Sequence, residues 1–88
     1  MEPDEVLMKQ VKDDVPGAFE ELIERYQHPL VSYFIVLTGN TEQAEDIAQE
    51  VLSRVWRSRK KYVAKPDFST WLYTIALEIA RKKGSQTE

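Results

Sequence analysis

The stretch from Thr41 to Arg59 reads TEQAEDIAQEVLSRVWRSR and decides the fold of this chain. Its apolar residues recur three or four positions apart, which places them on one face of an α-helix. They are Ala44, Ile47, Ala48, Val51, Leu52, Val55 and Trp56. Asn40 precedes the stretch as a candidate N-cap, and Gln43 supplies the second half of a capping-box pair. The pattern predicts an amphipathic helix with one buried face.

The charged residues of this stretch are sorted along the predicted helix. Acidic side chains stand near its N-terminal end, where a helix dipole is positive, and arginines stand near its C-terminal end. The acids are Glu42, Glu45 and Asp46, and the arginines are Arg54, Arg57 and Arg59. Together with Glu50, the acids lie along one face of the helix. They do not form a loop with the ligand spacing of a calcium site. We therefore expect a solvent or protein contact at this face, and no metal.

A second helix is predicted from about residue 18 to residue 38. Its apolar residues also recur at helical spacing, and they are Phe19, Leu22, Ile23, Tyr26, Leu30, Tyr33, Phe34 and Leu37. Pro29 is expected to kink the helix without ending it, because the apolar stripe keeps its phase across the proline. Gly39 is expected to end the helix, since glycine readily adopts a positive φ.

Two further helices complete the prediction. The first, from residue 3 to about residue 12, is short and is broken by the turn residues 13–17. The last is capped by Asp67 or Ser69 and reaches about Lys83. Its apolar stripe is Phe68, Trp71, Leu72, Ile75, Ala76, Ile79 and Ala80.

These elements predict an all-α fold, a compact bundle of three main helices plus a short N-terminal helix. The expected division is a short N-terminal helix and turn over 1–14, the bundle over 15–83 and a flexible tail over 84–88. Truncating any of the largest core side chains is expected to cost about 2–5 kcal/mol. Those side chains are predicted to be Phe19, Phe34, Trp56, Trp71 and Leu72.

The composition excludes several classes of function. The 88 residues contain no cysteine and are 42% hydrophobic and 31% charged. No apolar run approaches the roughly 20 residues that span a bilayer, and the acidic N-terminus is unlike a secretory signal, so a cytoplasmic protein without a membrane contact is expected. His28 is the only histidine, and no phosphate loop or nucleophile elbow is present. We predict that the protein is not an enzyme and uses no metal, cofactor or small-molecule substrate.

Net charge is divided along the chain. Residues 1–53 carry three cations against twelve acids, whereas residues 54–88 carry nine cations against three acids. The two halves therefore have net charges of −9 and +6. Such a division fits one surface for a basic partner and another for an anionic partner, and it fits two merely solvated surfaces equally well.

Two segments together resemble a known family. They are Ala44 to Trp56, AEDIAQEVLSRVW, and Phe68 to Ala76, FSTWLYTIA, and a short basic connector separates them. Upstream, Phe19 to Tyr26, FEELIERY, is similar to the opening helix of the same family. The whole pattern resembles domain 2 of the bacterial sigma-70 family of RNA polymerase sigma factors, in its extracytoplasmic-function (ECF) group, over roughly residues 15–83.

The resemblance implies a surface that docks on core RNA polymerase. In that family the helix matching residues 44–56 docks on the clamp helices of the largest polymerase subunit. The matching polar positions here are Asp46, Gln49 and Glu50, and Arg54 extends the surface. These positions lie off the apolar stripe, three or four residues apart, and are expected to project outward. Membership also implies an anti-sigma factor that covers this surface.

The resemblance further implies a surface for the non-template strand of promoter DNA. In the family, the last helix and the connector before it open the minus-ten element and hold a flipped base. Cations are needed there for phosphates, and aromatic rings for unstacked bases. The candidates are Arg59, Lys60, Lys61, Tyr62, Lys65, Tyr73, Thr74, Glu78, Arg81 and Lys82. Phe68 and Trp71 lie on the apolar stripe and are expected to pack in the core instead.

One position departs from the pattern of the family. An Asn, often after an Arg, usually follows the Ile-Ala of the last helix, where this chain has Leu77 and Glu78. Glu78 either accepts a hydrogen bond from a cytosine amino group or weakens DNA binding. An alternative function is therefore an interaction module that binds polymerase or a regulator without reading DNA, and an exposed apolar patch around Leu77 would favour it.

The family's second, helix-turn-helix domain is not recognisable in this chain. Nothing after Lys83 resembles it or the linker to it. We expect one domain of a longer protein, and a naturally short protein is the alternative.

Overall fold

The computed structural model describes residues 2–64 and 67–86, with side chains described as far as Lys83. The α-helices found there are α1 (Asp4–Lys12), α2 (Ala18–Thr38), α3 (Thr41–Arg57) and α4 (Phe68–Gln86), and a 3₁₀ turn, Arg59–Lys61, lies between α3 and α4. No strand occurs in these described ranges, and the predicted all-α class is confirmed. None of the described helices is both long and apolar enough to cross a bilayer.

The core lies where α3 packs against α2 on one side and against α4 on the other. Its large, almost fully buried side chains include Phe34, Phe68, Leu22, Leu30, Ile47, Leu72 and Ile79. The predictions that Phe34 and Leu72 lie in the core are confirmed, and Phe68 packs there as its position on the stripe indicated. Phe19 and Trp71 are only partly buried and pack against this core from its edge.

Trp56 is not a core residue, so that prediction is wrong. Its side chain is 39% exposed. The ring lies in the last turn of α3, with its centroid 5.0 Å from that of Phe19, and the guanidinium carbon of Arg59 stands 3.8 Å from its centroid. Helical spacing places Trp56 on the apolar stripe, but spacing does not tell how far the neighbouring helices extend to cover it.

The short helix α1 is part of the same core. Its buried side chains are Leu7, Met8 and Val11. α1 packs mainly on α2, and Asp4 at its start accepts a hydrogen bond from Arg25 Nη1 at 3.0 Å and another from the Tyr26 hydroxyl. Burial, and after it the bond to Asp4, raise the pKa of Tyr26 above its usual range. The N-terminal helix predicted as a short addition to the bundle is therefore joined to it by apolar and polar contacts.

The link between α2 and α3 is formed by Gly39 and Asn40. Gly39 has φ +68° and ends α2 as predicted. Asn40 Oδ1 accepts a hydrogen bond from Gln43 N at 2.9 Å, which confirms the predicted cap of α3. The reciprocal half of the capping box is wrong, because the Asn40 N–H donates to Thr38 Oγ1 at 3.2 Å instead of meeting the Gln43 side chain.

The start of α4 is capped by Asp67, one of the two predicted caps. Its carboxylate accepts a hydrogen bond from Thr70 N at 3.0 Å, and this bond lowers the pKa of Asp67. The predicted end of α4 at Lys83 is wrong, because the helix continues through Gly84 to Gln86. A glycine lowers helix stability by about 1 kcal/mol and does not by itself end a helix. The last two residues of the predicted tail, 87–88, lie outside the described residues.

Helices α2 and α3 depart little from their predicted bounds. α2 is one continuous helix through Pro29, as the phase of its apolar stripe predicted, and the kink stays a prediction. α3 ends at Arg57, two residues before its predicted end, because the chain tightens there into the 3₁₀ turn.

Candidate docking and nucleic-acid surfaces

Two of the predicted polymerase-binding side chains, Asp46 and Gln49, are exposed on α3. They line a groove of about 250 Å³ between α2 and α3, which we call the α3 groove. Its other lining residues are Gln27, Val31, Glu45, Ala48 and Leu52. The groove combines carboxylates and amides with a short apolar floor. This chemistry suits a basic amphipathic helix, because charged donors bond strongly to carboxylates and aliphatic side chains cover apolar surface.

The other two predicted docking residues, Glu50 and Arg54, turn towards α4. Glu50 Oε1 lies 3.0 Å from Lys83 Nζ, and Arg54 Nη1 lies 3.6 Å from Glu78 Oε2. All four side chains are at least partly exposed, so each ion pair adds little to stability. The pairs nevertheless place Glu50 and Arg54 at the boundary between the α3 surface and the α4 surface.

Two cations of the connector converge on one carboxylate. Arg59 Nε lies 2.8 Å from one oxygen of Asp14, and Lys60 Nζ lies 2.9 Å from the other. The hydrogen bonds from Lys60 and then from Arg59 lower the pKa of Asp14. Lys61, the next predicted phosphate contact, is exposed. In the described part of the connector, Lys61 is therefore an exposed cation, whereas Arg59 and Lys60 already contact the Asp14 carboxylate.

Tyr62 is buried, so the expectation that it offers an aromatic ring to a base is wrong for this arrangement. It is 3% exposed. Its ring packs edge-on against Trp71 and Phe68, with centroid distances of 5.1 Å and 6.0 Å. Burial raises the pKa of Tyr62. Lys65, a further predicted phosphate contact, lies outside the described residues.

The predicted contacts on α4 lie at different depths. Thr74, Arg81 and Lys82 are exposed, whereas Tyr73 is partly buried, edge-on to Tyr33 at a centroid distance of 5.3 Å. Burial raises the pKa of Tyr73. A second groove, of about 440 Å³, is lined by Arg54, Glu78, Arg81 and Lys82. Glu78, which departs from the family pattern, therefore lies among cations and pairs with Arg54 of α3.

Leu77 lies at an exposed apolar site. Its side chain is 42% exposed and lines a groove of about 500 Å³ formed by the C-terminal parts of α2 and α4 and the N-terminal part of α3. We call this the Leu77 groove. Its other lining residues are Phe34, Leu37, Thr38, Gln43, Ile47, Ala80, Arg81 and Lys83. Leu37, placed by its spacing on the buried stripe of α2, is exposed here because it lies in the last turn of that helix.

Three functional candidates were missed by sequence reasoning, and all lie in or beside α1. Glu5 Oε2 accepts a hydrogen bond from Phe68 N at 2.8 Å, and Lys12 Nζ donates to the Tyr62 carbonyl at 2.7 Å. Asp14 is the third. No local pattern signals these contacts, because each joins residues more than forty positions apart. The one available signal was the helical spacing of the apolar residues in α1, which predicts that it packs on the bundle.

Fold and surfaces define the chain as a small all-α domain with a hydrogen-bond-accepting groove on α3 and a group of cations on α4. A family model described as Sigma-70 region 2 matches residues 22–82. The chain belongs to the Sigma-70 region 2 family.

Curated relatives are longer sigma factors. RNA polymerase sigma-H factor of Pseudomonas aeruginosa is 30% identical over 80 residues, covering 91% of this chain and 42% of the relative. The ECF sigma factor SigW of Bacillus subtilis is 35% identical over 72 residues, covering 82% and 38%. The ECF sigma-E factor of Escherichia coli K12 is 32% identical over 80 residues, covering 89% and 40%. This chain spans about two fifths of the length of these relatives.

A solved structure is similar over nearly the whole chain. It is an NMR structure of an engineered region 2 of sigmaE in complex with GTAAAA. The TM-score is 0.84 at 30% sequence identity, over 94% of this chain and 86% of the other. Because it covers 94% of this chain, the similarity includes at least part of α1, which lies before the residues that the family model matches.

Proposed function

We propose that this chain is the domain of an ECF sigma factor that docks on the clamp helices of core RNA polymerase and recognises and melts the minus-ten promoter element. The observation that carries the proposal is the close structural similarity to an engineered region 2 of sigmaE that was solved in complex with GTAAAA. The role requires binding and strand separation and no catalytic group. Its place of action is the cytoplasm, where a bacterial polymerase works.

Docking is assigned to the α3 groove. Asp46 and Gln49 are exposed there and accept hydrogen bonds from a basic helix, while Glu50 and Arg54 contact the partner at the edge nearest α4. An anti-sigma factor that covers Asp46 and Gln49 would prevent docking. This groove lies on the half of the chain that carries the net charge of −9, which favours approach of a basic partner.

The docking assignment is tested with the double variant Asp46→Ala, Gln49→Ala. We expect its affinity for a clamp-helix fragment of the polymerase to fall at least about tenfold, because each lost hydrogen bond to a charged partner is worth roughly 1–3 kcal/mol. Calorimetric titration measures the affinity. Glu42→Ala, in the first turn of the same helix, removes one carboxylate away from the groove and serves as the control. Equal binding by the parent and the double variant would refute the assignment.

DNA binding is assigned to the connector and to the outer face of α4. Lys61, Arg81 and Lys82 are exposed cations that suit phosphates. Arg59 and Lys60 contribute when a phosphate replaces the Asp14 carboxylate, and Lys65 is kept as a phosphate contact from the resemblance. Thr74, Glu78 and the exposed edge of Tyr73 are the proposed base contacts, and Tyr62 supports the connector from within.

The DNA assignment is tested by the salt dependence of binding to single-stranded DNA. Affinity for a labelled GTAAAA oligonucleotide should fall steeply with salt, and Arg81→Met or Lys82→Met should each reduce the slope of log affinity against log salt by about 0.7. Fluorescence anisotropy measures both. Lys9→Met removes a cation of α1 that already pairs with Asp13 and is not a proposed DNA contact, and it should leave the slope unchanged. Salt-insensitive binding, or no binding to this oligonucleotide or to a random-sequence pool, would contradict the assignment.

The Leu77 groove supports a second candidate function, an interaction module that binds polymerase or a regulator without reading DNA. An exposed leucine above an apolar cleft is the kind of surface that protein partners cover. The two assays already described discriminate between the candidates. Binding to the clamp-helix fragment without any binding to single-stranded DNA at low salt would favour the second.

A further inference from the structure

The described parts of the connector between α3 and α4 are tied to the N-terminal helix. The connector leaves α3 through the 3₁₀ turn Arg59–Lys61 and enters α4 at Phe68. Side chains from α1 and from the turn after it meet the chain at both of these places. The contacts span sequence separations of 45 to 63 residues, so they are set by the tertiary fold alone.

At the exit from α3, residues of α1 and of the connector exchange hydrogen bonds. Lys12 Nζ donates to the Tyr62 carbonyl at 2.7 Å in a partly buried position. Lys60 Nζ in turn donates to the Lys12 carbonyl. The Asp14 carboxylate, in the turn after α1, contacts both Arg59 and Lys60. The last residue of α1 and the following turn therefore fix where the 3₁₀ turn ends.

At the entrance to α4, a carboxylate of α1 binds the first residue of the helix. Glu5 Oε2 accepts a hydrogen bond from Phe68 N at 2.8 Å, and the neighbouring Asp67 side chain accepts one from Thr70 N at 3.0 Å. The first N–H groups of a helix have no partner within it, and a carboxylate there is favoured by the helix dipole. Glu5 thus supplies from another helix a cap that the local sequence provides only in part.

We propose that α1 positions the connector for single-stranded DNA, with Glu5 and Lys12 as its positioning residues. The inference rests on the proposed DNA function and extends it to α1, none of whose residues is among the proposed DNA contacts. The described residues of the connector include Lys61, Ala64 and Asp67. Because its two ends are fixed to one rigid helix, binding requires less ordering of the connector, which would otherwise reduce affinity.

The first test compares pairs of variants that change charge equally. Lys12→Met and Lys9→Met each remove one cation from α1. Lys9 lines the same groove as Tyr62 and Ala64, but among the described residues its ammonium pairs with Asp13 and makes no hydrogen bond to the connector. Glu5→Ala and Glu5→Gln each remove one carboxylate, but glutamine keeps a carbonyl acceptor for Phe68 N. We expect Lys12→Met and Glu5→Ala to weaken binding of GTAAAA about fivefold, the effect of one ordinary hydrogen bond. Lys9→Met and Glu5→Gln should stay within about twofold of the parent.

Charge alone predicts a different outcome, which makes the comparison decisive. Loss of a carboxylate should strengthen DNA binding by a purely electrostatic effect, so tighter binding by Glu5→Ala would overturn the proposal. Equal losses in Lys12→Met and Lys9→Met would overturn it as well. Failure of the parent protein to bind any single-stranded DNA is a distinct result, since it refutes the proposed DNA function before any variant is compared.

The second test does not depend on DNA. Amide hydrogen exchange is measured at Tyr62 and Phe68 in the parent and in the same variants, with the melting temperature of each recorded. Positioning predicts faster exchange at Tyr62 in Lys12→Met and at Phe68 in Glu5→Ala, with little change in the buried centre of α3. Unchanged exchange at both amides overturns the proposal, and so does faster exchange spread evenly over the whole domain, which reports a general loss of stability.

Discussion

The backbone of Asp14 has φ +60°, a conformation that few residues other than glycine adopt readily and that Asp and Asn tolerate. The turn holds its carboxylate between Arg59 and Lys60. An aspartate before Val-Pro-Gly predicts a turn, and the predicted helix break is present between α1 and α2. The two cations could not be predicted, because they follow more than forty residues later and only the packing of α1 brings them close.

The lowered pKa of Asp14 gives a prediction with a defined sign. Because the hydrogen bonds from Lys60 and Arg59 hold the pKa of folded Asp14 below its usual value of 3.8, ionised Asp14 stabilises the fold above about pH 4. This contribution is lost as pH falls through the lower, folded value. Asp14→Asn, which keeps the backbone preference, should melt at a lower temperature than the parent at neutral pH, and the gap should narrow on acidification. Circular dichroism melts between about pH 7 and pH 3 measure this.

The neighbouring Asp13→Asn is the control for this experiment. Asp13 pairs with Lys9 on the exposed side of α1 and contacts neither connector cation. A gap between Asp14→Asn and the parent that stays constant from neutral to acid pH would show that ionic contact with Arg59 and Lys60 is not what stabilises the turn.

At the scale of whole elements, helix boundaries set by a few neighbouring residues were predictable. Gly39 ends α2 and Asn40 caps α3, as predicted from the residue types at these adjacent positions. Asp67 caps α4 in the same way. Features that depend on the rest of the chain were not predictable. The end of α4 lies beyond Gly84, and Trp56 in the last turn of α3 is not covered by the neighbouring helices.

The junction between α2 and α3 yields a prediction about helix capping. Asn40→Ala removes the acceptor for Gln43 N and should lower the free energy of unfolding by about 1 kcal/mol. Gln43→Ala should cost clearly less, because the Asn40 N–H already has Thr38 Oγ1 as its partner. Urea denaturation of both variants measures the difference. Equal losses would indicate that the Gln43 side chain completes a capping box in solution.

For the molecule as a whole, the fold class and the family could be predicted from the sequence, and the depth of several site residues could not. Asp46 and Gln49 are exposed in the place that the stripe of α3 indicated. Tyr62 is buried because Phe68 and Trp71 pack around it, and no periodic pattern runs through the irregular connector to indicate this. The acidic and basic halves of the sequence also do not form two fully separate surfaces. Glu50 and Glu78 each pair with a cation across the α3–α4 boundary.

The burial of α1 has a practical consequence for anyone who exchanges modules between transcription factors. A fragment trimmed to the residues that the family model matches would begin at Leu22 and would omit Leu7, Met8 and Val11. The apolar side chains that α1 covers would then be exposed to solvent, and the fragment would tend to aggregate. Chimeras should therefore be joined upstream of Asp4, where the described chain is exposed and has not yet entered the first helix.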